Sequence, residues 1–304
     1  MKKYLYPVRL FLEKRRKKEH NPGPYLGMEL YVPRAKLPAV HVRLYRPEED
    51  KPLLPVLFNV HGGSWIFGDS EGLDLQSQYL ANHLGCTVVN IDYRLLDSCP
   101  FPYQQTEVAD VIAYFLSHAD GFRILPDRAA LAGYSAGGHI SAGAAMLLRE
   151  RNIRLTKQVL CYPFLNYVGF DLAGYVNLSG FKAKVINRLA DQIFFEKMPK
   201  DSVLLSPANA SPNDLKGLAD AIIITCGAGD ALLPQGELYA RKLKEAGVNA
   251  VYKEYEKAEH GFLEHNFPDD PAVFTKEGLQ DTLMRQAVDF IKAQDIFSLK
   301  EPVI

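Results

Sequence analysis

The sequence predicts an α/β protein with a mostly parallel central sheet and helices on both faces, and three observations carry that expectation. From residue 40 onward, short apolar runs of strand character alternate with segments of helical period. A glycine-rich turn, Gly133-Tyr134-Ser135-Ala136-Gly137-Gly138, joins one such run to a helix-compatible stretch ending at Leu148. With 304 residues and an apolar fraction of 47%, there is enough material to bury one large core.

The elements follow in order. The first ~40 residues and the segment from about 166 to 206 do not fit the alternation. Both are expected as additions to the sheet that form a small helical cap on a single domain spanning 1–304. Strands are expected over 40–45, 56–60, 87–91, 129–132, 158–161, 221–226 and 248–255. Val108, Val111, Ile112, Phe115 and Leu116 fall on one helical stripe, and Leu279, Leu283, Ala287, Phe290 and Ile291 on another. An insertion at 166–206 follows the carboxyl end of a strand, where open α/β sheets bind ligands, so it is expected to line a substrate pocket.

Charge and cysteine usage narrow the function classes. Lysine plus arginine number 35 against 36 acidic residues, a balance that supplies no bulk field for nucleic acid or anionic membrane and suits a small neutral ligand. Cys86, Cys99, Cys161 and Cys226 are scattered and show neither a disulfide framework nor zinc spacing, so no metal is expected. Pro7 and Arg9 interrupt the apolar residues at the N-terminus before a signal peptide can form, and no segment approaches the ~20 apolar residues of a membrane span. The expectation is a cytoplasmic protein without stable membrane association. The sequons at Asn177 and Asn209 are then incidental, and the basic run at 15–18 reads as a solvated helix end.

A Gly-x-Ser-x-Gly turn between strand and helix is the context of a nucleophile elbow, whose flanking residues must be small because backbone passes close to backbone. Ser135 is therefore the candidate nucleophile. A neutral hydroxyl is a poor nucleophile, so it needs an imidazole to take its proton and a carboxylate to orient the ring. His260 lies in a loop directly after the last expected strand, on the sheet edge where the elbow emerges, with His265 as the alternative. Asp230 follows the strand 221–226 and projects from the same edge, with Glu237 as its alternative; the order becomes Ser, Asp, His. The spacing of His260 and His265 lacks the pattern of a zinc site. His61-Gly62-Gly63-Ser64-Trp65 follows the strand 56–60, and its paired glycines let backbone amides approach a developing oxyanion. Gly62, Gly63 and Ala136 are the expected donors. His61 is expected to organise this loop, and Trp65 and Tyr134 are candidate substrate contacts.

With these residues placed, the chain resembles the hormone-sensitive-lipase group of α/β-hydrolase carboxylesterases along most of its length. The resemblance is carried by His61 to Ser64 against a His-Gly-Gly-Gly loop, by Asp92-Tyr93-Arg94-Leu95, by Phe101-Pro102, and by the elbow at 133–138. The segments Asp230-Ala231-Leu232, Glu245 to Val248 and His260-Gly261-Phe262 extend it. It implies an α/β-hydrolase fold, a cap over acyl and alcohol pockets, no cofactor, hydrolysis of small to medium acyl esters through an acyl-enzyme, and scope for a homodimer. Similar scaffolds also deacetylate carbohydrates or cleave arylformamides. The plant gibberellin receptors resemble the group as non-catalytic binders that lack the triad histidine, which here is retained as His260. Three positions depart from the group's pattern. Ser64 replaces a glycine, Tyr134 an aspartate, and Leu96-Asp97-Ser98 an Ala-Pro-Glu that bears on a supporting salt-bridge network. Asp92 and Arg94 are expected to be structural.

Overall fold

In the computed structural model, residues 23–49, 51–168, 201–227, 229–264 and 276–298 are described, together with isolated positions 14, 180, 184, 188 and 199. Eight strands form one sheet: β1 (Met28–Arg34), β2 (Leu37–Tyr45), β3 (Leu54–Val60), β4 (Thr87–Asp92), β5 (Ile124–Tyr134), β6 (Lys157–Cys161), β7 (Asp220–Cys226) and β8 (Ala250–Tyr255). Their spatial order is β1-β2-β4-β3-β5-β6-β7-β8. The pairs β1–β2 and β2–β4 are antiparallel, and every pair from β4–β3 through β7–β8 is parallel. The seven expected strands are all present, with ends shifted by a few residues.

Period-two alternation sends neighbouring residues of the central strands into two separate cores. Val56, Phe58 and Val60 of β3 and Ala129 and Leu131 of β5 pack beneath α2 (Tyr103–Ser117), which contributes Val108, Val111, Ile112 and Phe115. Leu57, Ala130 and Ala132 face the other way. They meet Leu80 and Ala81 of α1 (Asp74–Leu84) and Met284, Ala287 and Val288 of α5 (Lys276–Ala293). The other long helices among the described residues are α3 (Ala136–Glu150) and α4 (Leu233–Glu245). Phe58 and Phe115 meet edge to face at 5.8 Å. Each such fully buried ring stabilises the fold by roughly 2–3 kcal/mol.

One expectation needs correction. Residues 28–40, assigned above to the cap, belong to the sheet: β1 pairs with β2 from Met28↔Leu44 to Arg34↔Leu37. As an edge strand it is covered on one face only, leaving Met28 and Tyr31 exposed, while Pro33 and the charges at Glu29 and Arg34 obscure its period. The strand is held by polar anchors. Asp74 accepts from the amides of Leu26 and Gly27 and from the Tyr45 hydroxyl, and Arg34 reaches across to α2.

The other expected cap segment is described at its two ends and at a few isolated positions between them. The ends are pinned to each other, because the Tyr167 amide donates to Ser206 Oγ at 2.9 Å and the Ala208 amide to the Leu165 carbonyl at 2.9 Å. His265, like most of the first 22 residues, lies outside the described residues. No helix among the described residues is long and apolar enough to cross a membrane.

Candidate active site

Ser135 stands between β5 and α3 with φ 51° and ψ −114°, a strained conformation for a residue with a Cβ. The surroundings enforce it. Its amide donates to the Cys161 carbonyl at 2.9 Å, and its carbonyl accepts from the amides of His139 and Phe164. Gly137 runs against the Val60 and His61 carbonyls with no room for a Cβ, so α3 can leave β5 at this sharp angle only with glycine there.

The expected base and carboxylate converge on this serine. Ser135 Oγ lies 2.8 Å from His260 Nε2, and His260 Nδ1 lies 2.9 Å from Asp230 Oδ2. Because a carboxylate only accepts, Nδ1 carries the proton and Nε2 presents its lone pair to the serine hydroxyl. Asp230 is almost fully buried, and its second oxygen accepts from the Leu232 amide at 3.0 Å, which fixes the carboxylate plane. Three strands position the three residues: β5 ends in the elbow, β7 leads through Gly227 to Asp230, and β8 leads to His260. Glu237, the alternative carboxylate, sits on α4 instead.

The oxyanion loop differs from expectation at Gly62. Its amide donates to Glu264 Oε1 at 2.8 Å, so this N–H is already engaged and is not a free donor. Gly63, with φ 104°, and Ala136, at the first position of α3, are the two remaining candidates. Tyr93 clamps the loop from below, its hydroxyl donating to the His61 and Gly62 carbonyls at 3.1 and 3.2 Å. His61 stacks on the Tyr93 ring at 4.3 Å, and its Nδ1–H donates to the Gly62 carbonyl at 2.8 Å. Burial pushes this imidazole down from its ordinary value, so it is a neutral organiser of the loop.

Tyr134 also departs from expectation. It is buried in the core cluster behind the elbow, beside Tyr162, and its hydroxyl interacts with Gln76 and Asn59. It supports the turn from behind and is not a substrate contact. Trp65 is 4% exposed and packs edge to face against Phe101, Phe164 and His139. Its indole N–H donates to His139 Nδ1 at 3.1 Å, which makes it a structural wall on the side of the elbow.

His139 carries a pH consequence. Burial drives it down to about 4, opposed by the Leu205 and Leu204 carbonyls near its other nitrogen. Between pH 6.5 and 4 the unfolded chain binds this proton and the native one does not, so stability is lost as pH falls through that window, by on the order of 3 kcal/mol at the lower end. His139→Asn should flatten the acid side of the stability curve measured by urea unfolding. An unchanged slope between pH 6.5 and 4 would show that other groups control acid unfolding.

Two supporting residues had escaped the sequence. Glu107 on α2 is fully buried, accepts from the Arg94 amide at 2.7 Å, and forms ion pairs with the Arg94 and Arg34 guanidinium groups. A salt-bridge network is thus present without Ala-Pro-Glu, its carboxylate coming from α2. Glu264 is the other. Asp92 is structural as expected, facing His41 Nδ1 at 3.1 Å. Among the described residues, His41, Glu71 and Asp92 bring one potential ligand atom each within 4.8 Å, but Arg43 Nε already donates to Glu71 at 3.0 Å. Hydrogen bonding to Asp92 raises His41 toward its charged form, which opposes a second cation there.

With this geometry in hand, a family described as alpha/beta hydrolase fold matches residues 57–264. The chain belongs to that family, in its hormone-sensitive-lipase group. It is similar to an arylesterase of Saccharolobus solfataricus, 32% identical over 237 residues that cover 73% of this chain and 72% of that one. It is also similar to the carboxylic ester hydrolase LipN of Mycobacterium tuberculosis, 29% identical over 259 residues covering 81% and 67%. The solved structure of EstE1, a thermostable carboxylesterase from a metagenomic library, superposes with a TM-score of 0.75 at 27% identity, covering 97% of this chain and 98% of that one. The enzyme is accordingly a carboxylic ester hydrolase.

Proposed function

We propose that the enzyme hydrolyses small to medium acyl esters through an acyl-enzyme on Ser135. The reading rests above all on the unbroken hydrogen-bonded chain from Asp230 through His260 to Ser135. His260 Nε2 takes the hydroxyl proton as Ser135 Oγ attacks the ester carbonyl, and Asp230 holds the ring and stabilises the imidazolium that forms. The Gly63 and Ala136 amides receive the developing oxyanion, each such donor contributing roughly 3 kcal/mol in the transition state. Collapse expels the alcohol with the proton from His260. Water then enters, gives its proton to the same nitrogen, and releases the acid.

A wall of Trp65, Phe164 and His139 beside the elbow supports a short acyl space. Turnover of p-nitrophenyl esters should therefore be highest from acetate to hexanoate and fall for long chains. Rates that rise steadily to palmitate would overturn the size assignment. Acetylated sugars and an aryl formamide belong in the same panel, since faster turnover of either would redirect the substrate class while keeping the mechanism. Labelling of Ser135 by a fluorophosphonate separates catalysis from ligand binding.

A further inference from the structure

Glu264 is a half-buried carboxylate beside the triad that the mechanism above does not use. It sits four residues after His260, on the same loop, yet its partners belong to distant elements. Oε1 accepts from the Gly62 amide at 2.8 Å, and Oε2 accepts from the Tyr162 hydroxyl at 3.3 Å. Tyr162 in turn takes the Leu263 amide at 3.3 Å and packs its ring 4.9 Å from that of His260. The fit is close. A Cβ on Gly62 would lie 2.7 Å from Oε1 and 3.0 Å from Oε2, so the glycine is needed for the carboxylate to reach the backbone.

We propose that Glu264 is a positioning residue that registers the oxyanion loop against the general base. By engaging the Gly62 amide it holds the loop turned so that the next amide, that of Gly63, faces the ester oxygen, and its charge favours the imidazolium that His260 becomes during attack. The proposal rests on the esterase reading of the site. Two loops from opposite ends of the chain must agree in position to within a fraction of an ångström for the oxyanion and the proton transfer to be served together. A single carboxylate contacting one loop and carried by the other supplies that registration directly.

Around Glu264 lie His260 on its own loop, Tyr93 after β4, Tyr134 at the end of β5, Cys161 and Tyr162 from β6 and its following loop, and Cys226 at the end of β7. Burial holds the phenols and thiols in their neutral forms, so the charge of Glu264 acts on His260, which Asp230 also faces at 2.9 Å through Nδ1. Burial pushes Glu264 up from the usual carboxylate range, while the Gly62 amide, His260 and the Tyr162 hydroxyl pull it back.

The test compares the parent, Glu264→Gln, Glu264→Ala and Ser135→Ala on p-nitrophenyl acetate, with a trifluoromethyl ketone as the oxyanion-forming inhibitor. Glu264→Ala should lower kcat by roughly 10- to 100-fold with KM within about threefold, and weaken the inhibitor in proportion to kcat/KM. Glutamine can still accept from the Gly62 amide, so Glu264→Gln should recover most of that loss. Removing the anion beside the imidazole makes its protonation less favourable, so the acid limb of kcat/KM should move to lower pH in Glu264→Gln. Parental kcat in the alanine variant, or an acid limb unmoved in the glutamine variant, overturns the proposal. If the alanine variant does not fold, the acid limb of the glutamine variant decides alone. An inactive parent, or activity surviving in Ser135→Ala, would instead sink the esterase reading.

Discussion

Ser135→Ala is expected to lower kcat for p-nitrophenyl acetate by roughly 10⁵–10⁶-fold while leaving the folded protein intact. The size follows from the geometry. Ser135 Oγ is the atom that His260 Nε2 meets at 2.8 Å, and without it neither an acyl-enzyme nor its hydrolysis can proceed. What survives is the catalysis that positioned amides and substrate binding give to water, about 10³–10⁴-fold over the uncatalysed rate. Stability should change by less than about 1 kcal/mol, since the backbone bonds that hold residue 135 use its amide and carbonyl, not its side chain. Fluorophosphonate labelling must disappear with the activity. A variant that keeps a tenth of the parental rate would place the nucleophile elsewhere.

Glu107→Ala is the substitution expected to cost the most stability, about 3–5 kcal/mol. The carboxylate is completely buried, and it neutralises Arg34, itself 3% exposed, as well as Arg94. Burial raises the carboxyl from its ordinary value, and the Arg94 amide and two guanidinium groups oppose that rise. Such a network adds little net stability against an apolar replacement of the whole set, but deleting one member strands the others in a dry environment. The melting temperature should fall by roughly 10 °C. Because Arg34 also holds β1 through Asp110 at 2.7 Å, proteolysis should begin near the first strand. Adding Arg94→Ala to Glu107→Ala should cost much less than its effect in the parent, and strict additivity of the two in urea unfolding would contradict the coupling.

What could be read in the sequence was local. The elbow is legible because a strand, five small or apolar neighbours and a helix are contiguous, and the strands because double-sided burial writes continuous apolar runs. Asp230 and His260 are legible for a related reason: parallel strands all end on one edge, so a polar residue just past a strand end is near every other such residue. The missed features are pairings across long separations. Glu264 meets Gly62 202 residues away, and nothing in His260-Gly261-Phe262-Leu263-Glu264 marks its fifth residue as an acceptor for that amide. Glu107 lies beside the apolar stripe of α2, where a charged residue reads as a solvated position. Strand β1 was hidden by its one-sided burial, and Tyr134 looked available only because its neighbour Ser135 is.

The sequence separations of 125 from Ser135 to its base and of 202 from Gly62 to Glu264 have a consequence for the chain as it is made. A polypeptide leaving the ribosome exposes its serine and most of its central strands well before the histidine loop emerges. Until then Ser135 is an ordinary alcohol with no partner to ionise it. The growing chain can thus pass through a cell full of esters without premature acylation, and its chemistry begins only when the last strand closes the edge of the sheet.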